Sequence, residues 1–110
     1  MNTKFSYLYR DAANYKNFHD VIMTGIVELD QLEPFLHEGQ FFIPSEVGLP
    51  DLQDTPLTYD DHIWHEISAV TPTEEKPTVN TQADIFLNHF ASVSKNNWNE
   101  DSVYKKKGML

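Results

Sequence analysis

Alternating apolar and polar residues predict two strands near the start of the chain. In residues 4–10, KFSYLYR, the side chains of Phe5, Tyr7 and Tyr9 point one way, as in a half-buried strand. Residues 18–28, FHDVIMTGIVE, are rich in β-branched side chains, which favours a longer strand buried on both faces near its middle. The segment between them is rich in turn-forming residues, so we expect an antiparallel hairpin.

The middle of the chain predicts a short helix and then an irregular segment. Asp30 is a candidate N-cap residue with Glu33 at the capping-box position, and we expect a helix at about 30–38. Residues 41–43, FFI, are a candidate fourth strand. Prolines interrupt residues 44–53, so we expect an ordered loop there, held in place by its apolar side chains.

The second half of the chain predicts one more strand and the longest helix. Residues 62–70, HIWHEISAV, alternate as a strand does. After a linker with two prolines, Thr81 and Asp84 form a weak capping box for a helix at about 81–97. Apolar residues then recur at the spacing of one helix face, at Ala83, Phe86, Leu87, Phe90 and Val93.

These elements predict a single α+β domain over residues 1–98, followed by a flexible tail at 99–110. We expect a three- or four-stranded, mainly antiparallel sheet, with the short helix and the C-terminal helix packed on one face. The predicted core comprises Phe5 or Leu8, Val21, Ile22, Ile26, Leu32, Leu36, Ile63, Ile67, Phe86, Leu87 and Phe90.

The chain contains no cysteine, which excludes disulfides, cysteine-ligated zinc, iron–sulfur clusters and thiol nucleophiles. The same absence favours a reducing compartment, so we expect a cytoplasmic protein. The N-terminal stretch has no apolar signal-peptide core, and the longest apolar-rich run, residues 21–27, is far shorter than the roughly 20 residues of a membrane-spanning helix. We therefore expect no membrane partner, and no motif requires a cofactor.

The charge balance is strongly acidic, with 17 acidic and 8 basic side chains giving a net charge of -9. Three of the basic residues are the consecutive lysines at 105–107, so the rest of the chain is more acidic still. A surface of this sign repels phosphate backbones, so we expect no nucleic-acid binding. It favours cations or a basic protein partner.

The stretch DDHIWHEI, residues 60–67, concentrates three carboxylates and two imidazoles around a tryptophan. Buried charges and imidazoles are costly unless they are paired or liganded, so this stretch is where a site is expected. The candidate binding residues are Asp60, Asp61, His62, Trp64, His65 and Glu66.

A metal site with His62, His65 and Glu66 as ligands is the alternative interpretation of this stretch. The order His-x-x-His-Glu matches neither the zinc motif His-Glu-x-x-His nor its inverted form. On a strand, His62, Trp64 and Glu66 share one face, and His65 points to the opposite face. The two histidines then bind one ion only if the chain bends at His62 and brings the acidic loop to the same side.

Common catalytic motifs are missing: the sequence has no GxGxxG, Walker A, GxSxG or EF-hand pattern. We therefore expect a small, soluble, acidic protein-interaction module without catalytic activity. The alternative is a small metal- or cation-dependent hydrolase, or a cation-binding protein, that uses residues 60–66. A deciding feature is whether these residues form a pocket with Asp11, Asn14 and Tyr15.

Three stretches of the chain resemble segments of a known protein family. They are YRDAANYK at residues 9–16, EGQFFIPSEVGLPDLQ at residues 38–53 and DDHIWHEI at residues 60–67. Together they resemble a family of small acidic bacterial proteins of uncharacterised function, over roughly residues 5–70. The resemblance implies a bacterial cytosolic protein and brings no activity, cofactor or catalytic residue with it.

Overall fold

A four-stranded antiparallel sheet is the centre of the fold. The computed structural model describes residues 1–11, 14–52, 62–95 and 98. The strands run in the order β2-β1-β4-β3. They are β1 (Asn2–Arg10), β2 (Lys16–Thr24), β3 (Phe41–Phe42) and β4 (His65–Thr73). With the helices described below, the sheet makes one α+β domain, so the predicted fold class is confirmed.

The predicted helices are present but shorter than expected. The short helix is an α-helix, α1 (Leu29–Leu32), that continues as a 3₁₀ turn at Glu33–Phe35. Its start was wrongly predicted, because the N-cap residue is Glu28, whose backbone N–H donates to Gln31 Oε1 at 2.8 Å. The long helix, α2, spans Ala83–Lys95.

The second strand ends four residues earlier than its β-branched composition predicts. Gly25 has φ of 90°, a left-handed conformation that turns the chain out of the sheet directly after β2. Thr3 holds this turn, since its hydroxyl donates to the Gly25 carbonyl at 2.7 Å and accepts the Val27 N–H at 3.1 Å. As a result Ile26, predicted to be in the core, is 49% exposed.

The last strand begins at His65 and not at residue 62. His62 Nδ1 accepts the backbone N–H of Trp64 at 3.0 Å, and this local bond keeps residues 62–64 out of the ladder. The strand instead continues to Thr73, and a bulge interrupts its pairing with β1 between Ser6 and Tyr7. The alternation of side chains survives, because Ile63 and His65 are both fully buried.

One face of the sheet packs against α2 through aromatic side chains. The ring of Phe5 lies 5.1 Å from that of Phe86, and the ring of Phe42 lies 5.5 Å from that of Phe90, centroid to centroid. Full burial of a side chain of this size contributes roughly 1.5–3 kcal/mol. Trp98 extends the same core beyond α2, where its indole N–H donates to the Phe35 carbonyl at 3.1 Å.

Most of the predicted core is confirmed, although Leu8 and Ile22 are buried outside the main cluster. The buried members of the predicted set are Phe5, Leu8, Val21, Ile22, Leu32, Ile63, Phe86 and Phe90. The partly buried members that pack against the core are Leu36, Ile67 and Leu87. The predicted tail at 99–110 lies outside the described residues.

The opposite face of the sheet, called the outer face here, carries Lys4, Ser6, Leu8 and Arg10 of β1 and lies away from α2. The connection from β4 to α2 contacts this face at one end, where Lys4 Nζ lies 3.4 Å from Glu75 Oε2. At the other end, near Arg10, the outer face forms one side of a groove. In the described part of the chain, no helix has both the length and the apolar composition to cross a membrane.

Candidate functional site

An open groove of about 570 Å³ lies on the outer face, where the end of β1 meets β3 and the start of β4. The strand register explains its position, because Leu8 pairs with Glu66, and Glu66 pairs with Phe41. These side chains therefore form one row across the outer face. The lining residues are Arg10, Asp11, Gln40, Phe41, His62, Trp64 and Glu66.

Arg10 and Glu66 form the central polar contact of the groove. Arg10 Nε lies 3.0 Å from Glu66 Oε2, with the two side chains 41% and 29% exposed. The guanidinium also donates from Nη1 to Asn14 Oδ1 at 2.9 Å. Arg10 thereby ties β4 to the turn that follows β1. Glu66 lies in the groove as a partly exposed carboxylate whose charge Arg10 offsets only in part.

The turn between β1 and β2 borders the groove and carries the three residues that the sequence had left in question, of which one lines the groove and a second contacts Arg10. Asp11 lines the groove, and its Oδ1 accepts the N–H of Tyr15 at 2.9 Å, which closes the turn. Asn14 has φ of 67° and reaches Arg10. The Tyr15 side chain is 77% exposed and does not line the groove.

His62 bridges backbone groups at the rim of the groove. Its Nε2 lies 2.7 Å from the Arg10 carbonyl oxygen, and its Nδ1 accepts the Trp64 N–H. A carbonyl needs a donor and an N–H needs an acceptor, so these contacts assign a neutral ring with the proton on Nε2. The backbone N–H of His62 donates to the Tyr9 hydroxyl at 3.0 Å, which fixes the chain before β4.

His65 lies on the other side of the backbone, fully buried in the core. Its Nε2 accepts the Leu52 N–H at 3.0 Å, and its Nδ1 lies 3.1 Å from the Ile63 carbonyl oxygen. The same reasoning assigns a neutral ring with the proton on Nδ1. His65 therefore ties residues 49–52 to the start of β4.

Tyr7 holds the same loop from the neighbouring strand. Its hydroxyl donates to the Pro50 carbonyl at 2.6 Å. Burial, and next the charge of Asp51, raise the pKa of the Tyr7 hydroxyl well above its usual range. Tyr7 is thus a neutral donor across the physiological pH range, and its bond is structural.

Trp64 forms the aromatic wall of the groove. Its ring stacks on the imidazole of His37, with centroids 4.2 Å apart and planes 9° from parallel. His37 is positioned by a tight turn, in which its N–H donates to the Phe41 carbonyl at 2.7 Å. The turn before β3 therefore helps to orient Trp64, and Phe41 lines the same groove.

The structure separates the proposed metal ligands. His62 and Glu66 line the groove, whereas His65 is buried in the core with a backbone partner at each ring nitrogen. Among the described residues, no group of three or more histidine, aspartate or glutamate side chains is arranged to hold an ion. Asp60 and Asp61 lie outside the described residues.

Sequence reasoning missed three residues that line the groove, Arg10, Gln40 and Phe41. It also missed His37, which stacks on Trp64. Arg10 and Glu66 are 56 positions apart, and only the β1–β4 register brings them together. The one available signal was for Phe41, whose place in a predicted strand implied a neighbour across a sheet.

Comparison with known proteins gives no further guide to this groove. No protein-family model matches the chain, and neither a curated protein nor a solved structure matches it significantly.

Proposed function

We propose that this protein is a non-catalytic interaction module of the cytoplasm, whose groove binds a basic segment of a partner protein. The observation that carries the proposal is the lining of the groove, in which Phe41 and Trp64 lie beside the Glu66 carboxylate. Aromatic faces attract lysine and arginine cations, and a partly exposed carboxylate adds charge-assisted hydrogen bonds. The net charge of -9 favours the same partners over distance.

The roles of the histidines support recognition over catalysis. A general acid–base group needs a ring nitrogen that exchanges its proton with a substrate. Both nitrogens of His62 and both of His65 contact backbone groups that define the strand start and a loop. Proton transfer at either ring would disturb these contacts, so we assign both histidines a structural role.

A cation-dependent hydrolase, the alternative raised by the sequence, has less support. It requires His62, His65 and Glu66 to act together, and His65 faces the core while the other two face the groove. This alternative is tested by the metal titration in the Discussion.

The proposal is tested by titrating the protein with a flexible peptide of three Arg-Gly-Gly repeats, followed by nuclear magnetic resonance. Its glycines disfavour strand formation, so the peptide probes the groove and not the sheet edge. We expect Trp64→Ala to weaken binding about tenfold, corresponding to about 1.4 kcal/mol of lost cation–aromatic contact. Glu66→Gln should weaken binding too, whereas Arg10→Gln should strengthen it by removing a competing cation.

Two controls make the titration decisive. Ile85→Ala changes an exposed apolar residue on α2, remote from the groove, and should leave binding unchanged. A peptide of three Glu-Gly-Gly repeats should not bind. Equal affinity of wild type and Trp64→Ala, or a weaker Arg10→Gln complex, contradicts the proposal.

A further inference from the structure

The two edges of the sheet differ in the backbone hydrogen bonds that they make with other segments. At the β2 edge, the Ile22 N–H donates to Thr78 Oγ1 at 2.8 Å, and the Ile22 carbonyl accepts the Thr78 N–H at 2.8 Å. At the other edge, β3 pairs only with His65 and Glu66 of β4. From Ile67 to Thr73, β4 pairs with β1 alone among the described residues. Among the described residues, the β2 edge is therefore covered at Ile22, whereas β4 has no second strand partner from Ile67 to Thr73; this stretch of β4 is called the open edge.

The backbone of Val70 points to the open edge. Pro72 lies opposite Thr3 and has no N–H, so this pair is not a hydrogen-bonded pair of the β1–β4 ladder. Two positions earlier, Val70 lies opposite Phe5 with the same orientation, since backbone groups alternate along a strand. The Val70 N–H and carbonyl are thus directed away from β1, where an added strand would meet them.

The charges along this edge favour one kind of added strand. Residues 67–73, ISAVTPT, carry no charge, and they are bracketed by Glu66 and by the exposed Glu74. Two copies paired antiparallel through this edge would bring the acidic end of one strand to the acidic end of the other, and like charges oppose that pairing. An uncharged strand with basic ends meets no such repulsion.

A groove of about 260 Å³ lies at the beginning of the open edge, between α1 and β4. Leu29, Leu36 and Ile67 provide its apolar walls, and Glu33 and Glu66 provide two carboxylates. This combination suits a lysine or arginine side chain, which buries its methylene stem and keeps its charged end at the rim. The groove is therefore placed to receive a basic residue near one end of an added strand.

We propose that the open edge of β4 binds an extended segment of a partner protein by strand addition, with an uncharged centre and basic residues at both ends. Main-chain hydrogen bonds to Val70 would supply affinity, and the groove of Leu29, Leu36 and Glu33 would supply specificity. The inference rests on the proposed function for the basic character of the partner, but it uses the edge of β4 and a second groove, which shares only Gln40 and Glu66 with the first.

The test uses a nine-residue peptide, Lys-Lys-Thr-Val-Thr-Val-Thr-Lys-Lys, and measures residue-specific amide hydrogen exchange in the full chain. At saturating peptide we expect exchange of the Val70 amide to slow at least tenfold, because the amide becomes hydrogen-bonded. A peptide with glutamate in place of every lysine should produce no protection. Val70→Pro removes the outward N–H as Pro72 already does nearby, and it should weaken binding at least tenfold.

Charge variants in and directly after α1 test the inference without changing the strand. Glu33→Lys, in the 3₁₀ turn that continues α1, should weaken binding of the lysine peptide, whereas Asp30→Lys makes the same charge change within α1, outside the groove, and should not. If the peptide binds without protecting Val70, and Trp64→Ala abolishes that binding, strand addition is wrong and the proposed function stands. Val70 protection that rises with protein concentration without peptide identifies a second copy as the occupant and also overturns the inference.

Discussion

Replacing His65 by leucine should destabilise the fold strongly, because the imidazole is a structural connector. The side chain is fully buried, and the substitution leaves the Leu52 N–H and the Ile63 carbonyl without their partners. Each unsatisfied buried group costs about 1–3 kcal/mol, so we expect the two together to cost about 2–6 kcal/mol of unfolding free energy. Since small domains unfold with about 5–15 kcal/mol, this is a large share of the total.

A series of variants separates the two hydrogen bonds of His65. Glutamine places an acceptor near the position of Nε2, so His65→Gln should retain the Leu52 contact and lose less stability than His65→Leu. Asparagine places a donor near the position of Nδ1, so His65→Asn should retain the Ile63 contact instead. His89→Leu, at an exposed position on α2, is the matched control and should change stability by less than about 0.5 kcal/mol.

The assay is urea unfolding followed by circular dichroism, with the slope of the transition checked for constancy across the series. A His65→Leu variant as stable as wild type, or an equal loss for His65→Leu and His89→Leu, would refute the reasoning. The imidazole would then not be what holds residues 49–52 against β4.

Three further predictions follow from other contacts. Because its pKa is raised, Tyr7 keeps its proton in the folded state, while the unfolded chain releases it near pH 10. The free energy of unfolding should therefore fall as pH rises above about 10. Urea titrations from pH 9 to 11 should show a smaller fall in Tyr7→Phe than in wild type. Replacing Glu66 by glutamine should cost less than about 1 kcal/mol of unfolding free energy, because its pair with Arg10 is partly exposed, and a larger loss by urea unfolding would contradict this. Zn²⁺, Mn²⁺ and Ca²⁺ added to chelator-treated protein should leave the melting temperature unchanged, whereas a rise that depends on His62 would favour the metal-site alternative.

Local patterns in the sequence were sufficient for the sheet and the long helix. The alternation around Phe5 and Tyr7 and the helical spacing of Phe86 and Phe90 each depend on near neighbours. Phe5, Phe86 and Phe90 are buried as predicted, and Tyr7, on the same face as Phe5, is buried with them. The same alternation separates His65 from the outward residues, even though β4 begins only at that residue. Periodicity therefore survives an error in a strand boundary.

The groove itself could not be predicted in this way. The contact of Arg10 with Glu66 depends on the register of β1 against β4, and the stack of His37 on Trp64 depends on a turn whose path the sequence does not specify. The prediction was also wrong at residues 25–28, where the β-branched composition indicated a strand. The strand ends before them because Gly25 adopts a left-handed conformation. Interactions between distant segments thus decided both the site and the main error.

The protonation sites of the two imidazoles test the central claim most directly, namely that the histidines of DDHIWHEI are structural and leave the groove for recognition. A two-bond ¹H–¹⁵N correlation spectrum at neutral pH identifies the protonated nitrogen of each ring. We predict protonation at Nε2 in His62 and at Nδ1 in His65, with neither signal changed by excess Zn²⁺. A shift of both rings on adding zinc, or rapid exchange of either ring between its two neutral forms, would contradict the account.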